Sequence, residues 1–202
     1  MQLYYAPGTV ALAAVIALEE AGAAYDPLRL SFADGDQLQP AYLAVNPKGR
    51  VPALVTDDGV LTETPAILRY IAALYPEAGL LPSDPREAAR VDELCAYLSA
   101  TVHVSHAHRA RGARWSDDPA VIEALKLKVP SNMAAHFSYL SGQLRGPWYL
   151  GEQYSLADAY LFTMERWLPG DGVDLAGLPK IAAHMARVEA RPAVQRALAV
   201  TA

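Results

Sequence analysis

Hydrophobic positions change their period partway along the chain. In residues 1–78 short alternating runs trade places with stretches in which apolar residues recur at three and four; from Arg86 onward only the helical spacing persists. Val91, Leu94, Cys95 and Leu98 carry it, then Ile122, Leu125 and Val129, then Ile181, Met185 and Val188. The first half therefore predicts alternating strands and helices, and the second half helices alone. Gln2–Tyr5 is a β-prone run closed by Pro7-Gly8, and Thr9 stands as N-cap of an apolar helix ended by Gly22. Leu28 and Leu30, alternating with Arg29 and Ser31, predict a second strand. Asp34–Ala44 is a polar connection with room for one helical turn, and a crossover of this kind points to parallel strands. Val51, Ala53 and Val55 predict a third strand, Asp58-Gly59 a hairpin turn, and Val60-Leu61 the returning strand. Thr64-Pro65 reads as N-cap and first-turn proline of a helix carried by Ile67, Leu68, Ile71 and Leu74 and stopped at Pro76. The expected order is β-α-β-α-β-β-α.

Prolines 76, 82 and 85 mark a break, so the expected layout is a first domain at 1–78, a linker at 79–86 and an all-helical domain at 87–202. Within the latter, Ser155-Leu-Ala-Asp158 is a capping box with Asp in place of the usual Glu, ahead of Tyr160, Leu161, Met164 and Trp167.

Composition narrows the function. With 202 residues, 52% hydrophobic and 19% charged, the chain has the make-up of a soluble globular protein of one large or two small domains. Its 17 basic against 22 acidic residues provide no positive field for a phosphate backbone, so no nucleic acid is expected as partner. The single cysteine, Cys95, excludes an internal disulfide, a C-x-x-C redox pair and a cysteine-rich zinc site. The opening MQLYYAPG has no basic segment followed by an apolar one, and the apolar stretch Val10–Leu18 is about half of what a bilayer-crossing helix requires. Neither secretion nor membrane insertion is expected, and a reducing, cytoplasmic setting fits.

Two segments suggest a ligand. Asn46-Pro-Lys-Gly-Arg-Val-Pro52 places a proline at the mouth of a strand, where it removes a ladder donor. If the Val51-Pro52 bond is cis, the N–H and C=O of Val51 turn away from the sheet and can pair with another extended backbone; an edge-strand proline with no ligand is the other reading. At Glu63-Thr64 the last strand gives way to a helix. The N–H groups of its first turn, the Thr64 hydroxyl and the positive helix end can receive a carboxylate, and Glu63 can pair with an ammonium. Together they suit an α-amino acid head group, whereas each alone is also an ordinary helix start.

The segments LYYAPGTVALAAVIALEEAG, AVNPKGRVPAL, LTETPAILRYIA and YSLADAYLF resemble the glutathione transferases over almost the whole chain, most closely the bacterial beta class. The resemblance implies a thioredoxin-like α/β N-terminal domain, an all-α C-terminal domain, a homodimer, and glutathione as co-substrate bound by the first domain, with no metal. It implies that Val51, before cis-Pro52, pairs with the cysteinyl backbone of glutathione and that Glu63 and Thr64 hold its γ-glutamyl end. Ser155 and Asp158 match the family's structural capping box.

The sulfur end departs from the pattern. Where the beta class carries Cys-Ser, this chain has Val10-Ala11, so no mixed disulfide with glutathione can form there. No lysine lies between Ser31 and Ala41, which leaves Gln37 or Gln39 for the glycyl carboxylate. Attack requires the thiolate, and a free thiol with pKa near 8.5 is mostly protonated at pH 7. The groups that remain to stabilise the anion are the Thr9 hydroxyl and the Val10 N–H, then Tyr5, a hydroxyl of the type other classes of the family use; a buried core role is equally open to Tyr5. In the helical half, His103 is the histidine that matches the family's, and Tyr97 and Trp167 stand beside it as pocket wall or core. His103, His106 and His108 lack the spacing of a metal site. The expected activity is conjugation of glutathione to a small hydrophobic electrophile; the alternative is a weakly catalytic or non-catalytic carrier of glutathione and hydrophobic ligands.

Overall fold

A computed structural model describes residues 1–202. The chain forms two compact units, Met1–Ala88 together with Glu189–Ala202, and Ala89–Val188.

The first unit is built on four strands, β1 (Gln2–Tyr5), β2 (Asp26–Arg29), β3 (Ala53–Thr56) and β4 (Gly59–Thr62), in the spatial order β2-β1-β3-β4. β1 and β2 run parallel, joined through helix α1 (Ala11–Glu20), while β3 lies antiparallel to both β1 and β4. Ala11–Leu18 are all buried, as an all-round apolar helix must be. The crossover to β3 holds a 3₁₀ turn at Asp36–Leu38 and the one-turn helix α2 (Pro40–Leu43). Helix α3 (Thr64–Leu74) follows β4 and ends before Pro76. Helix α9 (Pro192–Val200) returns to this unit and packs on α1. Just ahead of α9, Arg191 forks onto Glu20 at 2.5 and 2.8 Å; within it Arg196 reaches Glu19 at 2.8 Å, and Tyr5 Oη donates to Val200 O at 2.8 Å.

Three element starts differ by one residue from the sequence expectation, two of them for a visible reason. Val10, not Thr9, is the N-cap of α1, because the Thr9 hydroxyl donates to Ala6 O at 2.7 Å and braces the Pro7-Gly8 turn. Thr64 is already the first helical residue of α3 and Glu63 its N-cap. The hairpin closes at Asp57-Asp58, with Thr56 paired to Gly59, because Thr56 Oγ1 accepts from Asp58 N and donates to Gly59 O.

The second unit is helical apart from one isolated bridge between Trp148 and Gly151. Helices α4 (Pro85–Tyr97) and α5 (His103–Arg111) are joined by a π-helical stretch, Leu98–Val102; α6 (Pro119–Gln143), α7 (Leu156–Glu165) and α8 (Pro179–Glu189) complete it. α7 is buried along its whole length and starts at the expected capping box: Asp158 accepts from Ser155 N at 2.8 Å and Ser155 Oγ at 3.1 Å. No helix is long and apolar enough to cross a membrane.

Candidate functional site

The strand register gathers the first unit's candidate residues at one end of the sheet. Tyr4 pairs with Ala53 and Ala53 with Thr62, so the carboxyl end of β1, the entrance of β3 and the exit of β4 lie side by side. From that end issue the Pro7–Val10 turn, the Val51-Pro52 dipeptide and Glu63-Thr64. Val51 shares a buried cluster with Tyr5, Ala6, Ala11, Tyr42 and Ala53.

The Val51-Pro52 bond is cis. Ladder pairing of β3 begins at Ala53, which leaves the backbone of Val51 outside the sheet. The loop before it is fastened by two groups the sequence reading passed over: Tyr42 Oη and Asn46 Nδ2 both donate to Arg50 O, and Asn46 Oδ1 accepts from Lys48 N at 3.2 Å. Burial raises the Tyr42 hydroxyl's pKa, so it stays a donor. Gly49, at φ +58°, lies where an added Cβ would come to 3.0 Å from Gln37 O. The signal that was present is Asn-Pro-Lys-Gly itself, a turn motif whose Asn side chain bonds the backbone it leads into.

Glu63 is the only non-glycine residue with positive φ (71°). Such backbone costs of order 1–3 kcal/mol and gathers at ligand clamps. Its carboxylate faces outward and meets Lys48 Nζ, which also donates to Thr62 Oγ1 at 2.6 Å. Thr64, directly after it, is buried at the first turn of α3. Gln37 sits on the 3₁₀ turn beside Gly49, and its Oε1 is buried with no hydrogen-bond partner.

The three candidates for the sulfur divide. The Thr9 hydroxyl proton is spent on Ala6 O, and the Tyr5 hydroxyl proton on Val200 O. At the start of α1, Ala11 N donates to Thr9 Oγ1 (3.4 Å), Leu12 N to Thr9 O and Ala13 N to Val10 O, so the Val10 N–H takes no part in the turn's own bonding. No acidic residue lies in the first turn to offset its positive end.

In the helical unit His103 and Trp167 come together, ring centroids 5.1 Å apart, while the Tyr97 ring packs against His136 and Tyr139. Its hydroxyl bonds His136 Nδ1 at 2.8 Å, and Ser105 Oγ bonds the opposite ring nitrogen at 2.9 Å. Burial lowers the pKa of His136 and raises that of Tyr97. The residue that joins His103 and Trp167 is His106, whose ring stacks on Trp167 at 4.0 Å and 17°. Its Nδ1 lies 2.8 and 3.0 Å from the two oxygens of Asp171, a partner 65 residues away that no local pattern announces. A second hidden group is His184, set between Glu165 and Asp158.

Comparison with known proteins agrees with this fold. Residues 1–73 match the family model "Glutathione S-transferase, N-terminal domain" and residues 91–192 "Glutathione S-transferase, C-terminal domain". The chain is 36% identical to glutathione S-transferase GstA of Escherichia coli O157:H7, over 98% of this chain and 97% of that protein. It is 35% identical to maleylacetoacetate isomerase of Pseudomonas aeruginosa, over 96% and 97%. Among solved structures, a glutathione transferase homologue from Sulfitobacter with bound glutathione superposes with a TM-score of 0.95 at 49% identity, covering 96% of this chain and 95% of that one. A bacterial beta class glutathione S-transferase from Sphingomonas chungbukensis gives 0.87 at 34%, covering 100% and 98%. With both family halves matched in order, on the mixed four-stranded sheet and the helical unit expected of them, the chain belongs to the glutathione S-transferase family.

Proposed function

We propose that the protein is a glutathione transferase, which binds glutathione at the β1–β3–β4 end of the sheet, holds its sulfur as the thiolate and lets it attack a small hydrophobic electrophile. The observation that carries this reading is the convergence, at one sheet end, of an unpaired backbone at cis Val51-Pro52, an acid–hydroxyl pair at the start of α3 and an N–H outside the bonding of the α1 turn. Val51 N–H and C=O pair with the extended cysteinyl residue. The first-turn N–H groups of α3 and the Thr64 hydroxyl take the γ-glutamyl carboxylate, and Glu63 takes the ammonium. Lys48 already sits on Glu63, so the ligand's ammonium shares or displaces it. Gln37 turns its amide to the glycyl carboxylate. The residues that the resemblance assigns to the electrophile belong to the helical unit, where His103 and Trp167 lie together and Tyr97 is tied to His136. The resemblance also implies a homodimer, which sedimentation equilibrium checks.

Because the Thr9 and Tyr5 protons are committed elsewhere, the Val10 N–H is the sulfur's donor. A hydrogen bond to a charged acceptor contributes about 1.5–3 kcal/mol, and a helix end about 0.3–1 kcal/mol. A sum of about 3 kcal/mol would bring the thiol from 8.5 to about 6.5, mostly ionised at pH 7. The test is an ultraviolet titration of the thiolate in the binary complex. A midpoint near 6.5 supports the transferase. A midpoint near that of the free thiol, with glutathione bound, would make the protein a carrier, the reading that the apolar Val10-Ala11 pair favours.

A further inference from the structure

The helical unit holds a cleft of about 380 Å³ between the end of α6 and one face of α8. The 144–147 loop forms one wall; Lys180, Ala183 and Arg187, spaced three and four apart and so on one face of α8, form the other. The short Ala183 leaves a gap between two long cationic side chains, and Arg145 brings a third from the loop. No carboxylate lines the cleft, in a chain whose net charge is −5. Two of its cations also lack the partners found elsewhere on the surface. Lys48, Lys126, Arg191 and Arg196 each rest on a glutamate, whereas Lys180 Nζ has neither hydrogen bond nor ion pair and Arg187 has no carboxylate partner. Arg187 is nonetheless held in place: Nη1 donates to Pro147 O at 2.6 Å, and the guanidinium carbon lies 5.7 Å from the Trp148 ring centroid. Its Nε and Nη2 are left with no acceptor. The facing loop is pinned as well. Trp148 and Gly151 exchange backbone bonds at 3.0 and 3.1 Å, and Gly146 packs so closely on Gly151 that an added Cβ would come to 3.0 Å from its Cα. Both walls are therefore formed before any ligand arrives.

We propose that this cleft is an anion site for the diphosphate end of a small molecule. A recess lined by charge of one sign concentrates its counter-ion, here an anion. Guanidinium forks match pairs of phosphate oxygens, and an ammonium meets a further one. Lys180 and Arg187 stand seven residues apart, about 10 Å along the helix. The cleft thus offers positive charge at separate points and suits a ligand with more than one anionic group. A lone carboxylate, with two oxygens and a single charge, would leave at least one cation unmet. Arg145, Lys180 and Arg187 are all exposed, so the rest of the molecule can extend from the cleft into solvent. Every residue of the site belongs to the helical unit, and neither glutathione nor its thiolate has a part in it, so the site holds or fails apart from the transferase reading.

Equilibrium dialysis of radiolabelled pyrophosphate against the full-length protein provides the test. Wild type should bind a single equivalent, more weakly as sodium chloride is raised. Removing one charged hydrogen-bond donor should weaken binding about 10-fold in each of Lys180→Gln, Arg187→Gln and Arg145→Gln. Lys126→Gln, on α6 and already paired with Glu123, should bind as wild type does. Succinate should displace pyrophosphate only at about 10-fold higher concentration, since a carboxylate presents fewer oxygens and less charge to the forks. No binding at millimolar pyrophosphate overturns the inference, and so does equal affinity in wild type and all three cleft variants. Succinate binding more tightly than pyrophosphate overturns the phosphate assignment. Arg187→Gln also removes the bond to Pro147 O; should that change unfold the protein, Lys180→Gln decides alone, because the Lys180 ammonium bonds nothing in the protein.

Discussion

Replacing His184 by glutamine should cost the protein several kcal/mol and remove a pH dependence of its stability. The side chain is 1% exposed, with Nδ1 at 2.8 Å from Glu165 Oε1 and Nε2 at 3.1 Å from Asp158 Oδ1. Burial by itself pulls its pKa down; the Glu165 carboxylate and the bonds to Asp158 and Glu165 outweigh burial and raise it to about 9. Burial likewise raises the pKa of Glu165, against the opposing charge of His184. For a histidine raised above its ordinary 6.5, the stabilisation is fully present below pH 6.5 and is lost as pH climbs through about 9. At about 1.4 kcal/mol per pH unit, the interval amounts to about 3 kcal/mol. Glu165, which holds its proton longer in the folded state than in the unfolded chain, changes stability in the same direction. His184→Gln leaves two buried carboxylates without their cation, a loss of about 3–5 kcal/mol, or on the order of 10 °C in Tm for a chain of this size. Urea midpoints between pH 6 and 9.5 are the assay. Wild type should weaken steadily over that range, and the variant should lose the part of that slope that His184 contributes while keeping the part from Glu165. Parallel curves would show that His184 is neutral in the fold and refute the charge assignment.

Two smaller perturbations probe the first unit. Thr9→Val and Tyr5→Phe each remove a hydroxyl bonded to a backbone carbonyl, and each should cost about 1 kcal/mol of stability while the thiolate midpoint of bound glutathione moves little; a rise toward 8.5 in either variant would assign the sulfur to that hydroxyl instead of Val10 N–H. Gly49→Ala forces a Cβ to 3.0 Å from Gln37 O at a left-handed φ, so it should destabilise by about 1–2 kcal/mol and weaken glutathione several-fold in calorimetry; unaltered affinity would detach Gln37 from the site.

The way these groups are distributed along the chain explains which of them a reader of the sequence can find. Features whose partners lie within about four residues were legible: the hairpin from alternation and turn residues, the capping box at Ser155–Asp158, and the cis strand entrance from one proline; the connection at 34–44, expected to join parallel strands, leads instead into β3, which runs antiparallel to β1, while the parallel pair is joined through α1. Even there, the starts of α1, α3 and β4 moved by one residue, and at α1 and β4 threonine hydroxyls at 9 and 56 bond backbone carbonyls that periodicity does not weigh. Glu63 was named for its charge, but its left-handed backbone left no mark in residue type. What decides proton ownership came from far away. Val200 takes the Tyr5 proton across 195 residues, Asp171 takes His106 across 65, and Glu165 takes His184 across 19. A hydroxyl or imidazole near a helix start is thus equally compatible with binding a ligand and with bonding the protein, and the choice rests with an acceptor brought in by tertiary packing. The chain settles the matter in opposite ways in its two units. In the first unit packing consumes both side-chain hydroxyl protons and leaves a backbone N–H, which no mutation of Val10 short of proline removes. In the helical unit packing consumes only one nitrogen of His106 and leaves the other open. Stabilisation of the thiolate by the Val10 N–H should therefore resist side-chain substitution.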